Sequence, residues 1–474
     1  MRNLPERAPL GPIHVTCGPT VSADEVHAIV PTAIVHPPVQ HGDLYALALD
    51  AGASVLVIDG LFHQSAAIRH KEILDLIGRG ISIFGASSMG ALRASELSPL
   101  GMYGIGNVFR LFQSGAIDGD DEVAVVHLSE EDDYRQISEP LVNFRIALND
   151  GVSADMFTPD EAAVVLKIVQ EIPFTARTWK NLFRTIEAMH FQHGLVSKCS
   201  SFTEWLLSNP VSANAKKSDA IQALRMLGGH RPAPPSIKWA DSNWRTHFVQ
   251  TWRNQYEPSS ISGDAQVPPL RVMQFCQLYD TYFPEIWRKF LMATISGYET
   301  IGASHDALCA STDKAIAKAG LRLSDLTDRQ KNQWLTRDER KFLDTADQLR
   351  LITCRSMLIT PEQVDLAQPP AASIVAYFAA FADMALTTLQ SSTENVPMGR
   401  TLDHIASNLL TVELDLQWSL NEPSDHERKI AAHDHGFQSF SEATEASRPF
   451  FLSRKLAKGT LTRSTHLGIA KPGT

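Results

Sequence analysis

One stretch constrains the fold more than any other: Ile81-Ser82-Ile83-Phe84-Gly85-Ala86-Ser87-Ser88-Met89-Gly90-Ala91-Leu92-Arg93-Ala94-Ser95-Glu96-Leu97. Four residues of strand character pass through small residues directly into an alanine-rich helix pattern. A chain can make that transition only where a parallel strand ends and a covering helix begins. At the join, Ser87 and Ser88 stand at the helix start, where one hydroxyl can cap the helix and free backbone N–H groups face whatever lies above.

The rest of the first 130 residues repeats that rhythm. Short apolar runs at 13–17, 33–35, 54–58, 81–84 and 123–126 alternate with helical patterns. Strands that read as near-continuous apolar runs are covered on both faces, so the rhythm predicts an open parallel α/β sheet of the flavodoxin or Rossmann kind, with ligands beyond the carboxyl ends of its strands. From about residue 135 the period lengthens, with helices expected over 161–172, 178–191, 221–227, 271–295 and 338–352, an all-α remainder. At 474 residues the chain exceeds what one core usually serves, and the expected division is a core domain at 1–135 and helical regions at 136–257 and 270–474. Breaks rich in proline or small polar residues at 228–235 and 258–264 separate the helical patterns, the second being the better linker.

Composition excludes several partners. The formal charge is −10, and no basic block tracks a phosphate backbone, so nucleic acid is not expected. The first residues lack an apolar signal core and no run of about eighteen apolar residues occurs, so neither secretion nor a membrane span is expected, and the expected location is the cytoplasm. Five cysteines stand without a Cys-x-x-Cys pair, which argues against a zinc ribbon or disulfide framework; Cys17, at the end of the first strand, is the one placed where sites form. His190 with His193 lacks a nearby carboxylate motif and reads as a surface feature, and His433-Asp434-His435 sits in a polar stretch, so neither pair is expected to bind a metal. No metal and no cofactor is expected.

The chemistry concentrates on the carboxyl edge of the sheet. The strand–turn–helix spacing is similar to the elbow of serine hydrolases, in which the turn lifts a hydroxyl above the sheet and helix N–H groups receive an oxyanion. The match is partial, because Gly85-Ala86-Ser87-Ser88-Met89-Gly90 has two serines and places its glycine one position late. If both serines merely cap the helix, removing one costs about 1 kcal/mol. Asp59 follows the third strand, and His70 extends the apolar stripe of Ile73, Leu74 and Ile77 at i, i+3, i+4 and i+7. In a flavodoxin-like order Asp59, His70 and a serine come within reach, a carboxylate orienting an imidazole that takes a proton, which is typically worth about 10² to 10⁴ in rate. Packing alone accounts for such a histidine equally well. Lys71 beside Glu72 suits the positive end of a helix poorly and hints at an anionic ligand, whereas Arg93 and Glu96 read as a solvated i, i+3 pair. Asp120-Asp121-Glu122 precede the expected last strand and His127 ends it. The phosphate-loop pattern of nucleotide-binding domains is missing.

These residues carry a specific resemblance. Gly18-Pro19-Thr20, Pro37-Pro38-Val39 with Gly42-Asp43, Ile58-Asp59-Gly60, His70-Lys71-Glu72-Ile73-Leu74, the segment from Phe84 to Leu97, Gly101-Met102, and Asp120-Asp121-Glu122-Val123-Ala124 with His127 together resemble TfuA-like proteins over roughly the first 130 residues. That resemblance implies an accessory protein of a YcaO enzyme, which uses ATP to activate backbone amides of ribosomally made peptides, in thioamidation or azoline formation. It further implies release of sulfide from the C-terminal thiocarboxylate of a ThiS-type carrier, with the precursor peptide met through the complex. On that reading Ser88, or Ser87, or a water attacks the carrier's carbonyl, with His70 as base and Asp59 orienting it. Backbone N–H groups near Met89 and Gly90 hold the oxyanion, Lys71 or Arg93 holds the carrier's anion, and Thr20 and His127 complete the edge. Ser88 is preferred because Ser87 suits the cap. The alternative is an adaptor without catalysis that holds the YcaO partner in its active conformation.

Overall fold

The computed structural model describes residues 12–61, 65–189, 193–231, 246–258, 267–366 and 368–453. The chain divides into two compact units, residues 1–245 and 246–474. The first is built on five strands: β1 (Ile13–Thr16), β2 (Ile34–His36), β3 (Ser54–Val57), β4 (Ser82–Ala86) and β5 (Tyr103–Ile105). They form one all-parallel sheet in the order β2-β1-β3-β4-β5, with Val15 beside Leu56, Leu56 beside Phe84 and Gly85 beside Gly104. The expected open α/β sheet is therefore present, in the flavodoxin-like order, and the helix-rich remainder follows it.

The fifth strand is a correction. Tyr103-Gly104-Ile105 occupies the edge, whereas Val123–Val126 forms no strand. Residues Asp120–Glu122 make one tight turn instead, and His127 meets Gln136 in a single antiparallel bridge. An apolar run fits a sheet edge or a cavity wall equally well, and sequence periodicity does not separate the two.

Helices α1 (Ala23–Ile29), α2 (Asp43–Ala46), α3 (His70–Gly78), α4 (Met89–Leu97) and α5 (Asn107–Gln113) follow the strands. Ser22 and Glu25 close a reciprocal capping box on α1. The elbow between β4 and α4 is tight. A Cβ on Gly90 would lie 1.8 Å from the Val57 carbonyl oxygen, and one on Gly85 would lie 2.0 Å from that of Gly90, so glycine at both positions lets helix and sheet meet backbone to backbone.

Helices α6 (Leu141–Ser153), α7 (Pro159–Glu171), α8 (Trp179–Ala188) and α9 (His193–Ser208) bury their own core around Phe144, Val165, Leu182 and Phe202. After α10 (Pro210–Ala213), helix α11 (Ala215–Gly229) returns to the sheet. Its Ala220, Ala223, Leu224 and Leu227 share one core with Val15, Val26, Leu56 and Phe84, so the layer over that face is completed by residues more than a hundred positions beyond β5.

The regular elements among the second unit's described residues are helices. The pattern expected as one helix at 271–295 is two, Pro269–Tyr279 and Phe283–Ser296, and that at 338–352 is likewise Arg337–Phe342 and Thr345–Ser356. Phe275, Phe283, Trp287, Phe378 and Phe450 centre its core. His433 and His435, which sit in a polar stretch of sequence, are buried in it, where His435 Nδ1 donates to the Gln277 carbonyl and its ring stacks on Trp418 at 4.2 Å. His190 lies outside the described residues. No single described helix is long and apolar enough to cross a membrane; the pair Ala371–Ala379 and Ala382–Glu394, bent by 56°, reaches that length only together.

Candidate functional site

The β4–α4 elbow sets the site. Ser87 sits in the left-handed region at φ +70°, and the Ser88 N–H turns back to the Ala86 carbonyl at 2.8 Å. A non-glycine residue there carries about 1–2 kcal/mol of strain, and such strain persists where the surroundings enforce it. Ser88, not Ser87, holds the N-cap position, and its side chain makes no capping hydrogen bond. The Ser87 hydroxyl is fully buried with no hydrogen-bond partner among the described residues. The expected cap role thus falls away for both serines, for a geometric reason: the turn directs neither hydroxyl at the first N–H groups of α4.

Ser88 opens instead into a cavity of about 200 Å³ beyond the carboxyl ends of β1, β3 and β4, together with Asp59, Gly60, Val123, His127 and Thr175. The residues expected to form a fifth strand are one of its walls. His127 lies in this wall with Nδ1 2.7 Å from the Leu128 carbonyl. A carbonyl only accepts, so Nδ1 carries the proton and Nε2 of the neutral ring is left as the acceptor. Tyr134 meets the His127 ring edge to face at 5.8 Å and fixes its plane.

Asp59 and His70 do not pair. Asp59 is buried and acts as a clasp: Oδ2 accepts the Gly18 and Thr20 N–H groups at 3.0 Å each, and Oδ1 accepts the Thr20 hydroxyl at 2.6 Å. Three donors on the loop after β1 take up the carboxylate that the imidazole was expected to share. His70 lies outside the cavity lining with its side chain 46% exposed, and its Nε2 meets Glu96 Oε2 at 2.8 Å. Arg93 joins that pair, Nη1 donating to the same Glu96 oxygen at 2.8 Å and Nε to the Ile68 carbonyl at 3.2 Å. The expected Arg93–Glu96 pair is therefore present, extended by His70.

Of the other expected residues, Gly90 is a correction. Its N–H donates to the Ile58 carbonyl at 3.2 Å, so it is occupied in holding the helix to the sheet. Met89 is buried with its side chain against Gly60. Lys71 does not line the cavity. Glu72 is buried in α3 and accepts the N–H groups of Gly42 and Leu44, with His41 Nδ1 at 3.0 Å. Glu122 forms a bidentate pair with Arg145, and Asp121 Oδ2 accepts from Arg177 Nη2 at 3.4 Å. Burial, and then the charge of Asp59, push the Cys17 thiol up to about 12, which leaves it unreactive at neutral pH.

Sequence reasoning missed Lys216. It lies at the start of α11 with Nζ donating to the Val123 carbonyl at 2.8 Å, directly behind the cavity wall. Burial lowers its affinity for a proton, and the charges of Asp59 and Glu139 restore part of it. Burial likewise pushes Glu139 up, against hydrogen bonds from Asn143 and Gln136. Lys216-Lys217 on a helix reads as ordinary surface charge, and no local signal marks the first as fully buried.

A doubly wound sheet with a polar cavity at the carboxyl ends of β1, β3 and β4 defines an α/β protein whose ligand site lies at the position the strand order dictates. A family model described as TfuA-like protein matches residues 59–178, about a quarter of the chain. The segment opens at Asp59, contains the elbow, His70 and the His127 wall, and stops short of Lys216. No curated protein matches the chain.

Proposed function

We propose that this TfuA-like protein serves a YcaO enzyme by hydrolysing the C-terminal thiocarboxylate of a ThiS-type carrier, releasing sulfide for peptide backbone thioamidation or azoline formation. The reading is supported by the family of residues 59–178 and by one observation above all: an uncapped serine hydroxyl and a histidine with an available Nε2 line the same cavity at the carboxyl edge of the sheet.

The Ser88 Oγ attacks the carbonyl carbon of the thiocarboxylate while His127 Nε2 takes the hydroxyl proton. The C–S bond then breaks as the imidazolium returns that proton to the departing sulfur, which leaves as hydrosulfide, and an acyl ester remains on Ser88. Water, deprotonated by the same imidazole, cleaves that ester to the carrier's carboxylate and restores the serine. A water in place of Ser88 gives the same products in one step. The Met89 N–H at the first turn of α4 and the positive end of that helix stabilise the tetrahedral oxyanion, where losing one such donor typically costs about 2.7–4 kcal/mol. Asp59 acts by holding the Gly18–Thr20 loop that borders the cavity.

Purified protein mixed with a thiocarboxylated ThiS-type carrier is expected to release sulfide, and Ser88→Ala or His127→Gln to lose that release. A protein that stimulates a YcaO enzyme with free sulfide, yet releases none from the carrier, is an adaptor instead.

A further inference from the structure

The Ser88 cavity has a neighbour across Leu61. A second chamber of about 350 Å³ lies beyond β1 and β2, and Leu61 lines both. Its surface is largely Pro37, Pro38, Val39, Leu44, Leu47 and Tyr134, and the Asp43 carboxylate at its border accepts the Gln40 N–H at 2.9 Å. The first cavity is bordered by polar groups at β3 and β4, the second by apolar ones at β1 and β2. Together they straddle the point between β1 and β3 at which the strand order reverses, the place where open parallel sheets hold their ligands.

The partition between them is fixed. Val39 donates to the Asp59 carbonyl and accepts from the Leu61 N–H, both at 3.0 Å, which pins Leu61 where the chambers meet. On the other side, Tyr134 is held at φ +51° next to Asp133 at φ +53°, with its ring against His127 of the first cavity while it lines the second. Two consecutive left-handed non-glycine residues are costly, and here they keep one ring between the two spaces.

We infer that the cleft takes a two-part ligand: the reactive C-terminal carbonyl of an extended peptide segment in the Ser88 cavity, and an apolar side chain a few residues upstream in the chamber past Leu61. This rests on the acyl-transfer reading of the Ser88 cavity and adds to it a requirement on the substrate. An extended chain advances about 3.3 Å per residue, so side chains two to four residues from the end lie about 7–13 Å from the terminal carbonyl, the range tested for reaching the second chamber.

The test uses the full chain and dye-labelled hexapeptide acids of glycine and serine carrying a single leucine second, third or fourth from the C-terminus, read by fluorescence anisotropy. At least one leucine position is expected to bind about tenfold tighter than the leucine-free peptide, the scale of a well-filled apolar pocket. Ala46→Trp, at the chamber's exposed rim, is expected to erase that gain and leave the leucine-free affinity unchanged, and Leu47→Asp to weaken the leucine peptide selectively. Equal binding of all peptides, binding of none, or a leucine gain that survives both variants overturns the inference. Sulfide release from thiocarboxylate forms of the same peptides separates the two readings. Release without leucine preference removes the chamber's role and keeps the hydrolase, whereas leucine preference without release does the reverse.

Discussion

Thr20 donates its hydroxyl to Asp59 Oδ1 at 2.6 Å and its N–H to Oδ2 at 3.0 Å, so the carboxylate after β3 holds the loop after β1 shut against the sheet. Asp59→Asn turns one oxygen into a donor that faces donors. Leaving those buried groups mismatched is expected to lower stability by about 1–3 kcal/mol, measured by urea denaturation, and Thr20→Val is expected to cost less because only the hydroxyl bond goes. A variant Asp59→Asn as stable as wild type would show that the clasp is dispensable.

Gly90 sets the distance between α4 and β3. Gly90→Ala would place its Cβ 1.8 Å from the Val57 carbonyl oxygen, a contact relieved only by moving backbone. The variant is expected to lose about 3 kcal/mol or to fail to accumulate as folded protein, whereas Gly115→Ala, with open space around its Cβ, is expected to lose only what its φ of +73° demands.

The two serines are expected to separate cleanly. Ser87→Gly relieves a left-handed residue and removes a buried hydroxyl that has no partner among the described residues, and should raise stability by about 1 kcal/mol in thermal unfolding. Ser88→Ala breaks no capping bond and should leave the melting temperature within a few degrees while abolishing sulfide release. A melting temperature that falls for Ser88→Ala as for a lost cap would return that residue to a structural role.

Burial in the second unit pushes His435 down to about 4. Above about pH 6.5 the imidazole is neutral in both the folded and the unfolded chain. Between about 6.5 and 4 the unfolded chain binds a proton that the folded one refuses, so stability is lost as pH falls through that window, by an amount on the order of 3 kcal/mol. His14, His36 and His433 are also pushed down by burial and act in the same direction. Denaturation at pH 7.5 and pH 5 is expected to show a smaller pH dependence in His435→Gln than in wild type, and an unchanged dependence would remove His435 from the account.

Much of the first unit was legible because its signals are local. The apolar runs of β1, β3 and β4 are buried on both faces, and a run of that kind needs no distant partner to declare itself. The small residues of the elbow told where a strand becomes a helix, since only glycine admits the approach of α4 to Val57. The edge strand was misplaced because Tyr103-Gly104-Ile105 is three residues long, while the longer run at 123–126 lines a cavity.

Pairing was decided only in three dimensions. Asp59, His70 and Ser88 lie toward the carboxyl edge of the sheet, as the βαβ rhythm dictates, and His127 joins Asp59 and Ser88 from the cavity wall beyond β5. Which carboxylate serves which donor depends on loop paths set by packing: the loop after β1 reaches Asp59 first, and α4 brings Glu96 to His70. Lys216 shows the limit most plainly. The sequence determined an open parallel sheet with chemistry at its carboxyl edge, because periodicity and glycine placement are properties of neighbouring residues. Only the tertiary structure returned α11 to that sheet and buried a lysine behind the Val123 wall, because a contact between positions 93 residues apart is set by the packing of everything between them.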